Sequence, residues 1–196
     1  MDYKYIYETL YKLGYHDKGK NHGSSYIKHF VNNYKFDTIL EVGCANGSAV
    51  RDLHKNKKQA YGIDISSVAI RYCTEVTCVR NCIEASALDI PYKDKFFDAV
   101  FSCDVLEHLT PEDTRIAIKE IVRVAKHYLF LKISPELEFN RDWLNKAKAQ
   151  KIRGFENIDN LHLTVMPHKE WIGMITEDRR VSFEKNISDL LIFRIR

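Results

Sequence analysis

Residues 39–50 read ILEVGCANGSAV. A β-prone run, Thr38 to Val42, ends at a cluster of small residues. Gly43, Ala45 and Gly47 alternate there, and a helix-prone stretch from about Gly47 to Lys55 follows. Glycines permit the dihedrals of a sharp turn and remove side chains that would keep a ligand off the backbone. In open α/β sheets ligands bind where strands end at the carboxyl edge. This strand, turn and helix therefore predict both a fold class and a place for a ligand.

The same rhythm repeats outward along the chain. Gln59 to Asp64 is a second strand. Ser66 can cap a helix carrying Val68, Ile70 and Tyr72. Cys82 to Leu88 is a third strand, and the apolar Asp98 to Cys103 is a fourth, suited to lie between two layers. Thr110, Pro111 and Asp113 start a helix with a capping-box-like pair, and Ile118, Ile121, Val122 and Ala125 form its buried stripe. HYLFLKIS (127–134) is a fifth strand. A helix over Lys169 to Ile175 precedes strands at Arg180 to Glu184 and Asp189 to Ile195, with KNIS (185–188) as a hairpin turn between them. Ahead of the first strand lie helices over residues 3–13, ended by Gly14, and Ser25 to Asn33. The pattern predicts an α/β fold: a Rossmann-like, doubly wound, seven-stranded sheet, mostly parallel with a terminal antiparallel hairpin, and helices on both faces. One domain over 1–196 is expected, with an N-terminal helical lid at 1–36 and an inserted flap at 135–160. That polar insertion holds Trp143, Arg141, Lys146, Lys148, Lys151 and Arg153, and reads equally as a solvated helix.

With 45% hydrophobic and 29% charged residues, the 196-residue chain has an ordinary globular composition, and its net charge of +3 does not by itself argue for nucleic acid. Cysteines at 44, 73, 78, 82 and 103 show no paired CxxC spacing, which predicts free thiols in a reducing compartment rather than a metal. The N-terminal MDYKYIYETLYK lacks an apolar signal core, and no apolar run approaches the ~20 residues of a membrane span. The expected location is cytoplasmic, away from a membrane.

The dinucleotide fingerprint G-x-G-x-x-G would place its third glycine at Ser48, so a pyrophosphate cradle is poorly supported. Acids mark the strand ends instead. Glu41 precedes the turn, Asp64 ends the second strand and Asp89 follows the third. Asp64 is placed to accept both hydroxyls of a ribose, and such acids favour a cationic nucleoside over a phosphate.

EVGCANG (41–47), GIDIS (62–66), ALDIPYKDKFFDAVFSCDVLEHL (87–109), the helix and YLFLKIS strand after it, and the terminal antiparallel pair together resemble class I S-adenosylmethionine-dependent methyltransferases. The resemblance implies S-adenosyl-L-methionine as cofactor. It implies backbone at Gly43, Ala45 and Gly47 against the methionine portion, with Glu41 supporting the loop. Asp64, followed by Ile65, would bind the ribose. Asp89 would meet the adenine amino group, with Ile90 against the ring, and Ser102 or Cys103 would offer a carbonyl to the ammonium. Ala45 stands where the family has glycine, a change of one methyl from which little consequence is expected. His22, Gly23 and Tyr26 fall in the lid, where the rings of Tyr11, Tyr15 or Tyr26 would attract a sulfonium.

The acceptor side is set by CDVLEH (103–108). The Asn/Asp-Pro-Pro-aromatic motif of amino methyltransferases acting on DNA bases and the Pro-Cys of cytosine C5 enzymes are both missing from it. Removing a proton from a hydroxyl suits histidine near neutral pH. His108 is one candidate. His162 is the other, in NLHLTVMPHKEW (160–171), which resembles a His, Pro and Trp pattern of stand-alone methyltransferases in glycan-building pathways. The favoured base is His162 with Asp104 nearby; each histidine alone also reads as a hydrogen-bonded structural residue. Asp104, Glu107 and His108 form an alternative set for Mg²⁺. The expected reaction is O-methylation of a sugar or glycan hydroxyl, with a small molecule or glycan as partner rather than nucleic acid. The rivals are a nucleotide-linked or nucleic-acid acceptor and a donor-binding subunit without catalysis.

Overall fold

The computed structural model describes residues 1–15, 24–137 and 142–196. Seven strands form one sheet: β1 (Thr38–Val42), β2 (Gln59–Asp64), β3 (Cys82–Glu84), β4 (Phe97–Cys103), β5 (Ala125–Lys132), β6 (Val181–Ile187) and β7 (Leu190–Ile195). Their spatial order is β3-β2-β1-β4-β5-β7-β6. The first five run parallel, and β7 pairs antiparallel with both β5 and β6. The helices are α1 (Tyr3–Lys12), α2 (Ser24–Asn33), α3 (Ser48–Lys55), α4 (Ser67–Glu75), α5 (Pro111–Val124), α6 (Asp142–Ala149) and α7 (His168–Ile175).

Successive strand residues point to opposite faces, so two cores form. Leu40, Val42, Val100, Leu129, Leu131, Leu191 and Phe193 pack with Ile118, Ile121 and Val122 of α5 and Trp171 of α7. Ile39, Phe101, Phe130 and Ile192 face the other way, toward Ile27 and Phe30 of α2 and Val50 and Leu53 of α3. Phe30 stacks on Phe130 with centroids 4.5 Å apart. The turn between β1 and β2 registers the carboxyl edge, since Gly43 and Cys44 N–H groups both donate to the Ile63 carbonyl, at 2.8 and 2.9 Å.

Three local expectations are corrected. The third strand stops at Glu84 instead of reaching Leu88. Ser86 closes a turn there, its hydroxyl accepting from Leu88 N–H at 3.1 Å and its carbonyl from Asp89 N–H at 3.2 Å. KNIS is not the hairpin turn: β6 continues through Ile187, and the turn contracts to Ser188 and Asp189, with Ser188 at φ 54°. Thr110 caps α5 as expected by accepting from Asp113 N–H, but the return arm of the box runs through another element. Thr110 N–H donates to the Tyr3 hydroxyl at 2.9 Å, and that hydroxyl donates to Asp113 at 2.6 Å. This relay pins α1 to the start of α5.

Beyond the sheet, a third core joins the N-terminal helix to the polar insertion. Ile6 and Leu10 of α1 pack with Leu144, Ala147, Phe155 and Leu161. The helix α6 therefore has a buried side. Among the described residues no helix is long and apolar enough to cross a membrane.

Candidate active site

The candidate donor edge is built mainly from main chain. Gly43, Ala45 and Gly47 all take positive φ, at 78°, 47° and 72°. The glycines answer first to neighbouring protein atoms: a Cβ on Gly43 would lie 2.2 Å from Val105 Cγ2, and one on Gly47 would lie 2.9 Å from Cys73 Sγ. Ala45 holds a left-handed conformation that costs an L-residue roughly 1–2 kcal/mol. Its methyl thus has a conformational consequence, contrary to the expectation of little effect.

Asp64 ties this loop to the next. Its carboxylate accepts from Ala45 N–H at 2.9 Å, from Ser66 N–H at 2.9 Å and from the Tyr11 hydroxyl at 3.3 Å. Burial raises its pKa to about 6 against the opposing pull of the Ser66 and Ala45 N–H groups. Glu41 is also buried, which pushes its pKa well up. Its Oε2 has no partner among the described residues. The turn's N–H groups at Gly43, Cys44, Ala45, Gly47 and Ser48 are already taken within the protein, which leaves the buried Asp64 carboxylate as the group suited to a nucleoside. Ile65 is half-buried next to them. Ser102 is buried and donates to the Val42 carbonyl at 3.2 Å.

The adenine side differs in detail from the sequence picture. Asp89 is exposed, on the Ser86 turn, whereas Ser86 itself follows the strand end. Ile90 is buried in the core, its N–H held by Glu120 at 2.8 Å. Tyr26, on α2, is half-buried against the core that α2 covers, and His22 and Gly23 lie outside the described residues. Cys78 is exposed, while Cys44, Cys73 and Cys82 meet beneath the loop with sulfurs within 4.8 Å of one another.

On the acceptor edge, beyond β4, the chain enters the 3-10 turn Leu106–His108. Asp104, at φ 56°, forms an ion pair with Lys132 at the end of β5. The pair lowers the Asp104 pKa in spite of burial. Glu107 is fully buried; its Oε1 accepts from Ser134 N–H at 2.8 Å, and burial together with Asp104 raises its pKa to about 8. His108 is buried and driven down to about 3 by burial and by the neighbouring His162. Its Nδ1 lies 3.2 Å from the Leu161 carbonyl. His162 is half-buried, its pKa lowered chiefly by burial, with Nδ1 2.5 Å from the Glu136 carbonyl. The two imidazoles meet edge to face at 4.7 Å. Asp104, His108 and His162, candidates drawn from segments more than 50 residues apart, are thus neighbours. Lys132 escaped the sequence reading. A lysine closing the apolar run YLFL was its only signal.

A family model described as a methyltransferase domain matches residues 40–129, which span β1 through most of β5. Over these residues the chain is similar to the class I S-adenosylmethionine-dependent methyltransferases. S-adenosyl-L-methionine is the cofactor of that class, and the buried acids fit it. The Synechocystis PCC 6803 magnesium protoporphyrin IX methyltransferase with bound SAM superposes with a TM-score of 0.67 at 17% identity, covering 100% of this chain and 98% of that one. At that identity it shows the fold. The tRNA (carboxymethyluridine(34)-5-O)-methyltransferase of Arabidopsis thaliana is 39% identical over 90 residues, 45% of this chain and 21% of the relative. The ajmaline N-methyltransferase of Rauvolfia serpentina is 35% identical over 96 residues, 44% of this chain and 32% of the relative. The chain thus spans a third or less of the length of these curated relatives.

Proposed function

We propose that this protein transfers the methyl group of S-adenosyl-L-methionine to a hydroxyl of a sugar or glycan, with His162 as the base. The observation that carries the reading is the placement of His162. Its Nδ1 is committed to the Glu136 carbonyl, which leaves the Nε2 lone pair to take a proton, within the cluster that holds His108 and Glu107. Methyl transfer from a sulfonium asks chiefly for alignment of donor and nucleophile, and for a base when the nucleophile is a hydroxyl. Asp104 and Lys132 add a polar wall on the same side, suited to a polyhydroxylated acceptor.

Asp64 would hold the ribose, and Glu41 would brace the turn. Asp89 and Ile90 remain our assignment for the adenine, with Ser102 at the ammonium. Tyr11 already reaches Asp64, which supports a role for residues 1–36 and 135–160 as a cover over both substrates. Five free cysteines suit the reducing cytoplasm.

A nucleic-acid acceptor is the second reading, favoured by the tRNA substrate in the name of the Arabidopsis relative. The insertion offers less free basic charge than its sequence suggests, since Lys146 donates to the Leu13 carbonyl and Lys148 pairs with Asp159. The test is mass spectrometry on glycans, nucleotides and tRNA incubated with the donor. A gain of one methylene on a glycan supports the first reading; a gain on tRNA alone, with binding that weakens steeply with salt, overturns it in favour of the second.

A further inference from the structure

Proton transfer needs one lone pair, yet three converge on the acceptor side. A carbonyl oxygen can only accept, so His108 and His162 each carry a proton on Nδ1, toward Leu161 at 3.2 Å and Glu136 at 2.5 Å. Each ring is left with a lone pair on Nε2. Glu107 uses Oε1 for Ser134 N–H, while Oε2 is buried with no hydrogen-bond donor among the described residues and its carboxyl lies beside Asp104. A buried acceptor without a donor is rare and calls for a physical reason. One ligand-type atom from each of Glu107, His108 and His162 lies within 4.8 Å of the others.

We propose that Glu107, His108 and His162 hold a divalent transition-metal ion of the zinc, cobalt or iron class. Histidines braced through Nδ1 by backbone carbonyls are held as metal-binding imidazoles are held. Two imidazoles and one carboxylate favour such ions over magnesium, which prefers oxygen ligands throughout. Asp104 is not a member of the set, because Lys132 and the Cys103 thiol occupy its two oxygens. Lys132 is in turn neutralised by Asp104, which limits its repulsion of a cation. Three protein ligands leave coordination open for an acceptor hydroxyl. The inference goes beyond the assignment of His162 as base. With the ion bound, Nε2 is a ligand, and the ion makes the hydroxyl acidic in its place. The other cluster of ligand type, Cys44, Cys73 and Cys82, is less suited: its thiolates would stand in a dry interior beside the buried Glu41 and Asp64.

The experiment is a CoCl₂ titration of chelator-stripped protein, without donor or acceptor, followed by the d–d absorption of cobalt. One equivalent binds the wild type. Affinity falls by about 100-fold in Glu107→Gln and in His162→Ala, and is unchanged in Cys82→Ala. Thermal unfolding shows whether each variant is folded; His162 is half-buried, so its variant keeps the test open even if Glu107→Gln unfolds. No cobalt band in the wild type, a band that survives both ligand variants, or a thiolate charge-transfer band lost in Cys82→Ala each overturns the site. Calorimetry with S-adenosylmethionine on the same samples keeps the donor separate, since metal binding can fail while donor binding persists, and the reverse.

Discussion

The two edges of the site are made of different material. The candidate donor edge is main chain: a turn with three positive φ values, N–H groups pointing at one carboxylate, and acids that end strands. The acceptor edge is side chain: Asp104 on Lys132, and Glu107, His108 and His162 drawn together from distant segments. A main-chain edge is fixed by the local run of residues that makes the turn. A side-chain edge exists only once β5, the segment after it and the 3-10 turn have been packed together.

That division can be broken by substitution. The largest effect is expected from His162→Ala, with methyl transfer reduced about 10²- to 10⁴-fold and the calorimetric affinity for the donor unchanged. Donor affinity falling in parallel would show that the edges are not separable. Next is Gly43→Ala, whose Cβ meets Val105 Cγ2 at 2.2 Å at φ 78°. Overpacking and a left-handed alanine together should cost about 3 kcal/mol of unfolding free energy in urea titrations; a near-neutral result would mean the turn can relax.

Asp64→Asn sharpens the comparison on the donor side. Losing charge-assisted hydrogen bonds of roughly 1.5–3 kcal/mol should weaken donor binding about 10- to 100-fold. In the wild type, affinity should drop as pH falls through about 6, where Asp64 gains a proton. Stability runs the opposite way. The folded pKa is raised, so the folded state binds the proton more tightly than the unfolded one, and this group's contribution declines as pH rises from about 4 to about 6. The asparagine variant should show neither slope in donor titrations and melts across that window. The smallest effect is expected from Ala45→Gly. Relief of the left-handed alanine, offset by the entropy of the unfolded glycine, should raise stability by at most about 1 kcal/mol. Destabilisation would mean that the methyl packs favourably in the loop.

Much of this molecule was legible in its residues. The alternation of β-prone runs and capped helices predicted the parallel sheet and its antiparallel end, because strand and helix periods are local properties. Where the reading slipped, a nonlocal partner or a turn decided. The strand after Cys82 is cut short by the Ser86 turn, and the box at Thr110 closes through Tyr3, 107 residues away. Asp89, read as following the third strand, is exposed on the same turn. Lys132 and the carbonyls of Glu136 and Leu161 were invisible as site components, since nothing in their own neighbourhoods assigns them a partner.

What the chain determined by itself was the donor edge: small residues at 43, 45 and 47 permit the turn, and Glu41 and Asp64 stand at strand ends whatever packs above them. Only the tertiary structure decided that His162 meets His108 and Glu107, that Lys132 faces Asp104, and that Tyr11 reaches Asp64. Short-range geometry follows from the dihedrals each residue allows, whereas contacts between distant side chains follow from how whole elements bury their apolar faces together.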